Sequence, residues 1–450
     1  MTSVTRPADP RALLADLYWA AVTAAAPGPA LQAALTRHTT DLSRPIHILA
    51  LGKAALPMAQ AAVAFLEARG AAPAGGVLVV PEASTSPHPR LAVALGDHPE
   101  PGPKSFAAAE LLGEAVARVR PGDEVWVLLS GGTTSLIGAP LAGLRPDDLT
   151  ALYRLLLGSG LDITAMNRIR KRFARWAGGR LAAALAPAHV KNFTISDVIG
   201  DDLPSIGSGP CVPDSSTAGE VRTALRSAGL WERVPTGLRE HLEAVLRGAA
   251  PETPKPQDPA FQTAEAILIA SNRLALEAAA ARAHNLGLNA LLLDAALAGE
   301  AAEVGRRLAS TLRDYHATKV AGAQDTAVNK DAVLIWGGET TVTLGPHPGR
   351  GGRSQELALA AAQAMAGSGA SRMTLLAAGT DGRDGPTDAA GGYADSETWE
   401  RIRRAGRDPG RDLQTHHSYD ALAAAGDLFK TGMTGTNVMD LVLGWAPHPA

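Results

Sequence analysis

Residues 193–210 read F-T-I-S-D-V-I-G-D-D-L-P-S-I-G-S-G-P, and the reading of this run decides the fold. Phe193, Thr194 and Ile195 are apolar or β-prone and lead into a run that neither strand nor helix would continue. Gly200, Gly207 and Gly209 loosen the backbone where Pro204 and Pro210 fix it, so the expectation is an ordered loop at a strand end. Asp197, Asp201 and Asp202 fall in that loop, with Ser196, Ser205 and Ser208 beside them. Three carboxylates so close repel one another unless a cation, hydrogen bonds or solvent satisfies them. A solvated acidic turn is the plain alternative.

Upstream, apolar runs at 46–51, 76–80 and 124–129 alternate with helical stretches, the first an alanine-rich one after Lys53. That alternation predicts an α/β fold with a parallel, Rossmann-like sheet covered by helices on both faces. The proline-rich segment 81–103, which holds His88 and His98, reads as a long loop. Residues 249–259, A-A-P-E-T-P-K-P-Q-D-P, read as a linker. The expected division is an N-terminal domain 1–250, a linker 251–260 and a second α/β part 261–450. Strands are expected there at 266–270, 288–293, 332–336 and 373–378, with a short one through Leu344 and a final short helix after Asn437.

With 46% hydrophobic and 19% charged residues over 450 positions, the chain is globular and has material for more than one core. A net charge of −3 gives no electrostatic case for nucleic acid or an anionic membrane as partner. The single cysteine, Cys211, cannot form an internal disulfide. No signal-peptide core opens the chain and no uncharged apolar run spans about 18 residues, so a cytoplasmic location is expected.

The strand ends at 130–135, 196–210, 337–341 and 379–388 all carry small, flexible, hydroxyl- or carboxylate-rich turns. In open α/β sheets ligands bind beyond the carboxyl ends of strands. Ser130-Gly131-Gly132-Thr133 leads into a helix, so its backbone amides could cradle phosphate or carboxylate; a tight structural turn is the alternative. In H-P-G-R-G-G-R-S-Q-E (347–356), Gly351, Gly352 and Arg353 stand at a helix start, where an arginine suits a bidentate grip on oxyanions. Asp381, Asp384 and Asp388 share one loop without the EF-hand pattern, and magnesium is the better match. Lys53, after Gly52, is misplaced at a helix start unless an anion shares the site. There is no Walker A loop, no dinucleotide fingerprint after a strand, no protein-kinase signature, no zinc-ligand spacing and no serine-hydrolase elbow.

Six blocks in this order make the sequence resemble the class II glycerate kinases, the glycerate 2-kinase family. They are L-G-K-A-A (51–55), L-S-G-G (129–132), the run 167–181 ending G-G-R-L, the run 195–210, G-G-E-T-T (337–341) with G-G-R-S-Q-E-L (351–357), and G-T-D-G (379–382) with T-G-T-N (434–437). The resemblance implies two α/β domains with an active-site cleft between them, the second containing a MOFRL region at about 331–443. It also implies transfer of the ATP γ-phosphoryl group to D-glycerate, giving 2-phosphoglycerate with Mg²⁺. Lys53, Asp197 and Arg353 take the family's catalytic positions. Substrate or nucleotide contacts are expected from Gly52, Ser130, Gly131, Gly132, Thr133, Ser208, Gly338, Glu339, Gly351, Gly352, Thr380, Asp381 and Asn437, and Mg²⁺ contacts from Asp201, Asp202 and Asp381. The chain departs from the family pattern at 170–175, R-K-R-F-A-R, and at Ser354. A hydroxypyruvate reductase and a non-catalytic sugar-acid or sugar-phosphate binder are the alternatives; a homodimer stays open.

Overall fold

A computed structural model describes residues 9–38, 41–320, 331–367 and 373–448; the N-terminal reading above concerns residues that lie mostly outside these. The chain forms two compact units, 27–269 and 1–26 with 270–450.

The first unit is built on β1 (Ile46–Leu51), β2 (Gly75–Val80), β3 (Leu91–Leu95), β4 (Glu124–Leu129), β5 (His189–Ile195) and β6 (Ala264–Ala270). Their order is β3-β2-β1-β4-β5-β6, and β1 to β5 pair in parallel. The strands alternate their side chains between two covered faces. Leu49, Leu51, Val125, Val127 and Leu129 pack towards Ala108, Leu112 and Leu181, while Trp126 meets Phe65 and Phe193 edge-on from the other face. Strand order reverses between β1 and β4, which makes the carboxyl ends of those two strands the place where such a sheet opens a crevice. Gly52-Lys53 and Ser130-Gly131 leave from those ends.

The second unit holds β7 (Asn289–Leu297), β8 (Ala332–Gly338), β9 (Thr374–Gly379), β10 (Gly391–Asp395), β11 (Leu428–Phe429) and β12 (Asp440–Ala446), in the order β11-β10-β9-β12-β8-β7. β7 and β8 pair in parallel, and β12 runs antiparallel between β8 and β9.

The structure differs from the sequence reading in several places, each with a local cause. The N-terminal helix Pro10–Ala24 belongs to the second unit, where the Tyr18 hydroxyl donates to the Gly379 carbonyl at 2.8 Å. The expected linker lies inside the first unit. There Thr253 Oγ1 donates to Asp214 Oδ2 at 2.9 Å, and Lys255 Nζ donates to the carbonyls of Asp214 and Ser216. The proline-rich loop 81–103 contains β3, an edge strand whose apolar L-A-V-A-L run is short enough to be masked by the prolines around it. The expected final helix is β12, a fully buried central strand. The short strand through Leu344 reduces to one bridge, Glu300 to Thr341.

Candidate active site

Within the first unit, Gly52 leaves β1 with φ of 117°, and a β-carbon there would stand 2.5 Å from the Ser130 carbonyl oxygen. Only glycine lets the end of β1 run against the end of β4. Three bonds lock the crossing: Lys53 N–H to the Gly131 carbonyl (2.9 Å), Ala54 N–H to Ser130 Oγ (3.0 Å) and Ser130 N–H to the Leu51 carbonyl (3.0 Å). The hydroxyls expected to face a ligand are therefore spent on the scaffold. Ser130 is buried, Thr133 Oγ1 donates to the Ser130 carbonyl at 2.8 Å, and buried Ser208 meets Thr134 Oγ1 at 2.9 Å. What the turn leaves open is its backbone: among the described residues, the amides of 131–134 donate to no protein acceptor.

Around that turn the structure gathers Lys53, His98 and Asp197. A β-carbon at Gly131 would stand 2.0 Å from Asp197 Oδ2, and one at Gly132 would stand 3.3 Å from both Lys53 Cγ and His98 Cδ2. Two consecutive glycines thus let an acid and a base approach the same stretch of main chain. Lys53 is exposed, and among the described residues its ammonium has no carboxylate partner. Burial, and then the Lys53 charge, lower the His98 pKa from its ordinary value. His98 was missed as a site residue because its loop gave no strand end to attach it to. Asp202 Oδ2 accepts from Ser205 Oγ, and Asp201 takes a left-handed backbone with φ of 55°. The run 178–181 is structural: the amides of Gly178, Gly179 and Leu181 bind the carbonyls of Ser208, Gly209 and Pro210 and so shape the loop that carries Asp197. At the 170–175 departure, Lys171 Nζ lies 3.2 Å from Asp214 Oδ1, and Arg172 reaches Asp214, Glu252 and Ser216 in a buried network.

In the second unit Arg353 opens the helix Arg353–Met365. Its guanidinium binds Asp440 with Nε to Oδ2 at 2.6 Å and Nη2 to Oδ1 at 3.0 Å, and Nη1 reaches Glu339 Oε1 at 2.5 Å. Asp440 had no signal in the sequence because it was read as part of a helix. The helix start is not an open anion site: Asp384 fills it, accepting from the amides of Ser354 (3.2 Å) and Gln355 (2.8 Å). Burial and the Asp440 carboxylate push the Asp384 carboxyl up to about 7, against the pull of those two donors. Gly351 and Gly352 serve close packing, since a β-carbon on either would meet Ser418 Oγ at 2.1 Å or Asp384 Cγ at 2.2 Å. A side chain on Gly338 would meet the Leu297 backbone at 2.4 Å. Ser354 is buried, and its hydroxyl has no partner among the described residues. Thr380 is buried, accepting from Val438 N–H and donating to the Met439 carbonyl, while exposed Asn437 accepts from Met439 N–H.

Asp381 stays half-exposed, with Oδ1 held by the Arg383 amide at 3.0 Å. It borders a cavity of about 380 Å³ that Arg353, Arg383, Glu356 and His416 also line. Among the described residues no group of three or more His, Cys, Asp or Glu converges as metal ligands. Magnesium needs only one or two carboxylates beside phosphate oxygens, so Asp381 fits that demand, whereas Asp202 is turned onto Ser205.

Comparison with known proteins agrees with this layout. The profile described as "Domain of unknown function (DUF4147)" matches residues 13–243, and that of the MOFRL family matches 332–440. A glycerate 2-kinase from Pyrococcus horikoshii is 36% identical over 90% of this chain and 88% of its own. The chain belongs to the glycerate kinase family. The crystal structure of a glycerate kinase from Thermotoga maritima superposes with a TM-score of 0.86 at 34% identity, covering 98% of this chain and 100% of that one. A relative from Agrobacterium vitis, named a putative hydroxypyruvate reductase, is 40% identical over 81% of this chain and 80% of its own. Family membership accounts for the two-domain α/β architecture and for the six sequence blocks, which lie at the strand ends and turns described above. No helix among the described residues is long and apolar enough to cross a membrane.

Proposed function

We propose that this protein is a glycerate 2-kinase that transfers the γ-phosphoryl group of ATP to the 2-hydroxyl of D-glycerate, in the cytoplasm. The observation that carries the reading is Lys53: among the described residues its ammonium lacks a carboxylate partner and the turn it lies over has open amides, with Asp197 packed against Gly131. Phosphoryl transfer asks the protein for positioning and charge neutralisation more than for covalent chemistry. Asp197 orients the acceptor hydroxyl and receives its proton. Lys53 and the amides of 131–134 hold anionic oxygens. Arg353, already held by Asp440 and Glu339, presents a fixed positive group to the nucleotide. Bound Mg²⁺ would neutralise charge on the ATP phosphates, and Asp381, whose Oδ1 accepts from the Arg383 amide, would be its carboxylate.

The reductase reading rests on the names of two relatives alone, and no dinucleotide fingerprint follows a strand here. Incubation with D-glycerate, ATP and Mg²⁺, with the products resolved by phosphorus NMR, decides the matter. 2-Phosphoglycerate is expected. 3-Phosphoglycerate would keep a kinase but break the class. No phosphorylated product, together with oxidation of a reduced nicotinamide cofactor by hydroxypyruvate, would replace the kinase with the reductase.

A further inference from the structure

His98 has no role in the reaction as set out so far, yet the fold takes care to hold it. It lies between β3 and the helix Pro103–Ala117, and the chain on both sides is pinned. Gly96 N–H donates to the Val80 carbonyl at 3.0 Å, Asp97 N–H to Ser105 Oγ at 2.9 Å, and Ser135 Oγ to the Pro99 carbonyl at 2.6 Å. A β-carbon at Gly138 would stand 2.8 Å from Pro101 Cβ, so the segment is packed directly on the helix that follows the Gly131-Gly132 turn. The ring itself has neither hydrogen-bond nor ion-pair partner among the described residues. A clamped backbone carrying an exposed, unpartnered imidazole is the arrangement of a group kept for a ligand.

What the ring faces identifies that ligand. Lys53 approaches the same β-carbon position of Gly132 as the ring does, and burial, with the Lys53 charge added, lowers the imidazole pKa and so favours the neutral ring. A neutral imidazole supplies one N–H and one lone pair, and the ammonium beside it supplies the charge. Asp197 comes against the preceding residue, Gly131, whose α-carbon is about 3.8 Å away from that of Gly132. A cationic-plus-donor pair and a carboxylate one residue apart match a molecule whose carboxylate and hydroxyl sit on adjacent carbons. We propose that Lys53 and His98 together hold the carboxylate of a 2-hydroxy acid while Asp197 faces the hydroxyl next to it. This rests on the kinase reading and deepens it: holding the carboxylate at Gly132 brings the 2-hydroxyl, and not the 3-hydroxyl, to Asp197.

Calorimetric titration of the full-length protein with D-glycerate, without nucleotide, tests the subsite independently of turnover. His98→Ala is expected to weaken D-glycerate binding at least tenfold and leave ATP binding within twofold. His98→Gln, which restores an N–H donor, is expected to recover part of the loss. With ATP and Mg²⁺ present, the alanine variant is expected to release some 3-phosphoglycerate where the wild type makes only the 2-isomer. Should alanine fold poorly, His98→Phe, which keeps a ring of similar volume without its nitrogens, is judged by the same ratio. D-Glycerate affinity within twofold of wild type in a folded variant, or a loss confined to ATP, overturns the proposal, as does a wild type that does not bind D-glycerate. A wild type that binds D-glycerate but never phosphorylates it defeats the kinase reading, and the binding ratio then judges His98 alone.

Discussion

Arg353 and Asp440 form a two-point fork, Nε to Oδ2 at 2.6 Å and Nη2 to Oδ1 at 3.0 Å, at the meeting of a helix start and the first residue of a central strand. The arginine that sequence alone presents as a free clamp for substrate is thus engaged before any ligand arrives. Its planar donors suit that geometry in a way a lysine cannot reproduce. Glu339 takes the remaining edge, so the group is rigid rather than mobile.

Arg353→Ala is therefore expected to damage stability as well as turnover. It leaves Asp440, which is 7% exposed, without its counter-charge. Breaking one side of such a pair costs about 3 kcal/mol. Urea denaturation should show the loss, and Arg353→Lys should restore less than half of it. A folded alanine variant with wild-type stability and turnover would remove Arg353 from both roles.

Gly131→Ala should act on Asp197 alone. Gly131 does not need a left-handed backbone, but the added methyl would sit 2.0 Å from Asp197 Oδ2 and must push the carboxylate aside. We expect kcat to fall at least ~100-fold, the scale of losing a positioned general base, with little change in melting temperature. Gly52→Ala is the contrasting case: with φ of 117° and the Ser130 backbone 2.5 Å away, it should unfold the turn itself. Steady-state kinetics beside thermal melts separate the two outcomes.

Much of the first sheet was legible because β1, β2 and β4 are short, largely apolar runs, and β1 and β4 end in glycine-containing turns. The second sheet was harder. β12 reads D-L-V-L-G-W-A, and a buried central strand carries no alternation to tell it from a short helix. Asp440 was lost with it. In the site, sequence placed Lys53, Asp197 and Gly131-Gly132 on turns that the fold brings together, because strand ends converge in a parallel sheet. It could not show that Ser130, Thr133, Ser208 and Thr380 spend their hydroxyls on neighbouring backbone and side chains, since hydroxyl-rich turns look alike whether they serve a ligand or themselves.

Lys53→Ala and Asp197→Asn should leave the fold intact and remove turnover. Lys53 is exposed and without a carboxylate partner among the described residues, so its loss takes away no protein contact of consequence. We expect kcat/KM to fall ~100- to 10,000-fold in each, the range for removing a positioned acid–base or charge-stabilising group. Matched circular dichroism and initial rates check this. Near-normal rates in either folded variant would reassign the role.

A chelator should stop turnover without loosening the protein. Among the described residues no group of three or more His, Cys, Asp or Glu side chains converges. EDTA is expected to leave the melting temperature unchanged while abolishing product formation, and Asp381→Asn to raise the Mg²⁺ concentration needed for half-maximal rate several-fold. A melting temperature lowered by EDTA alone would point to a resident metal instead.

Asp384 predicts how stability moves with pH. It is 3% exposed, and burial with the nearby Asp440 carboxylate raises its folded-state pKa to about 7, above the ~3.9 of an unfolded aspartate. Between those two values the folded state binds the proton more tightly than the unfolded one. The sign follows: the contribution is fully present below about pH 4 and is lost as pH rises through about 7. Asp384→Asn cannot titrate, and its amide NH₂ would oppose one of the helix amides that the carboxylate now accepts, at Ser354 or Gln355. Urea denaturation of both proteins at pH 5, 6, 7 and 8 should therefore show the wild type well ahead at pH 5 and its lead shrinking towards pH 8. Comparing the pair cancels the other titrating groups they share. A lead that stays constant or widens with pH would mean that Asp384 is ionised throughout, its charge held by the two amides and Arg353 against the cost of burial.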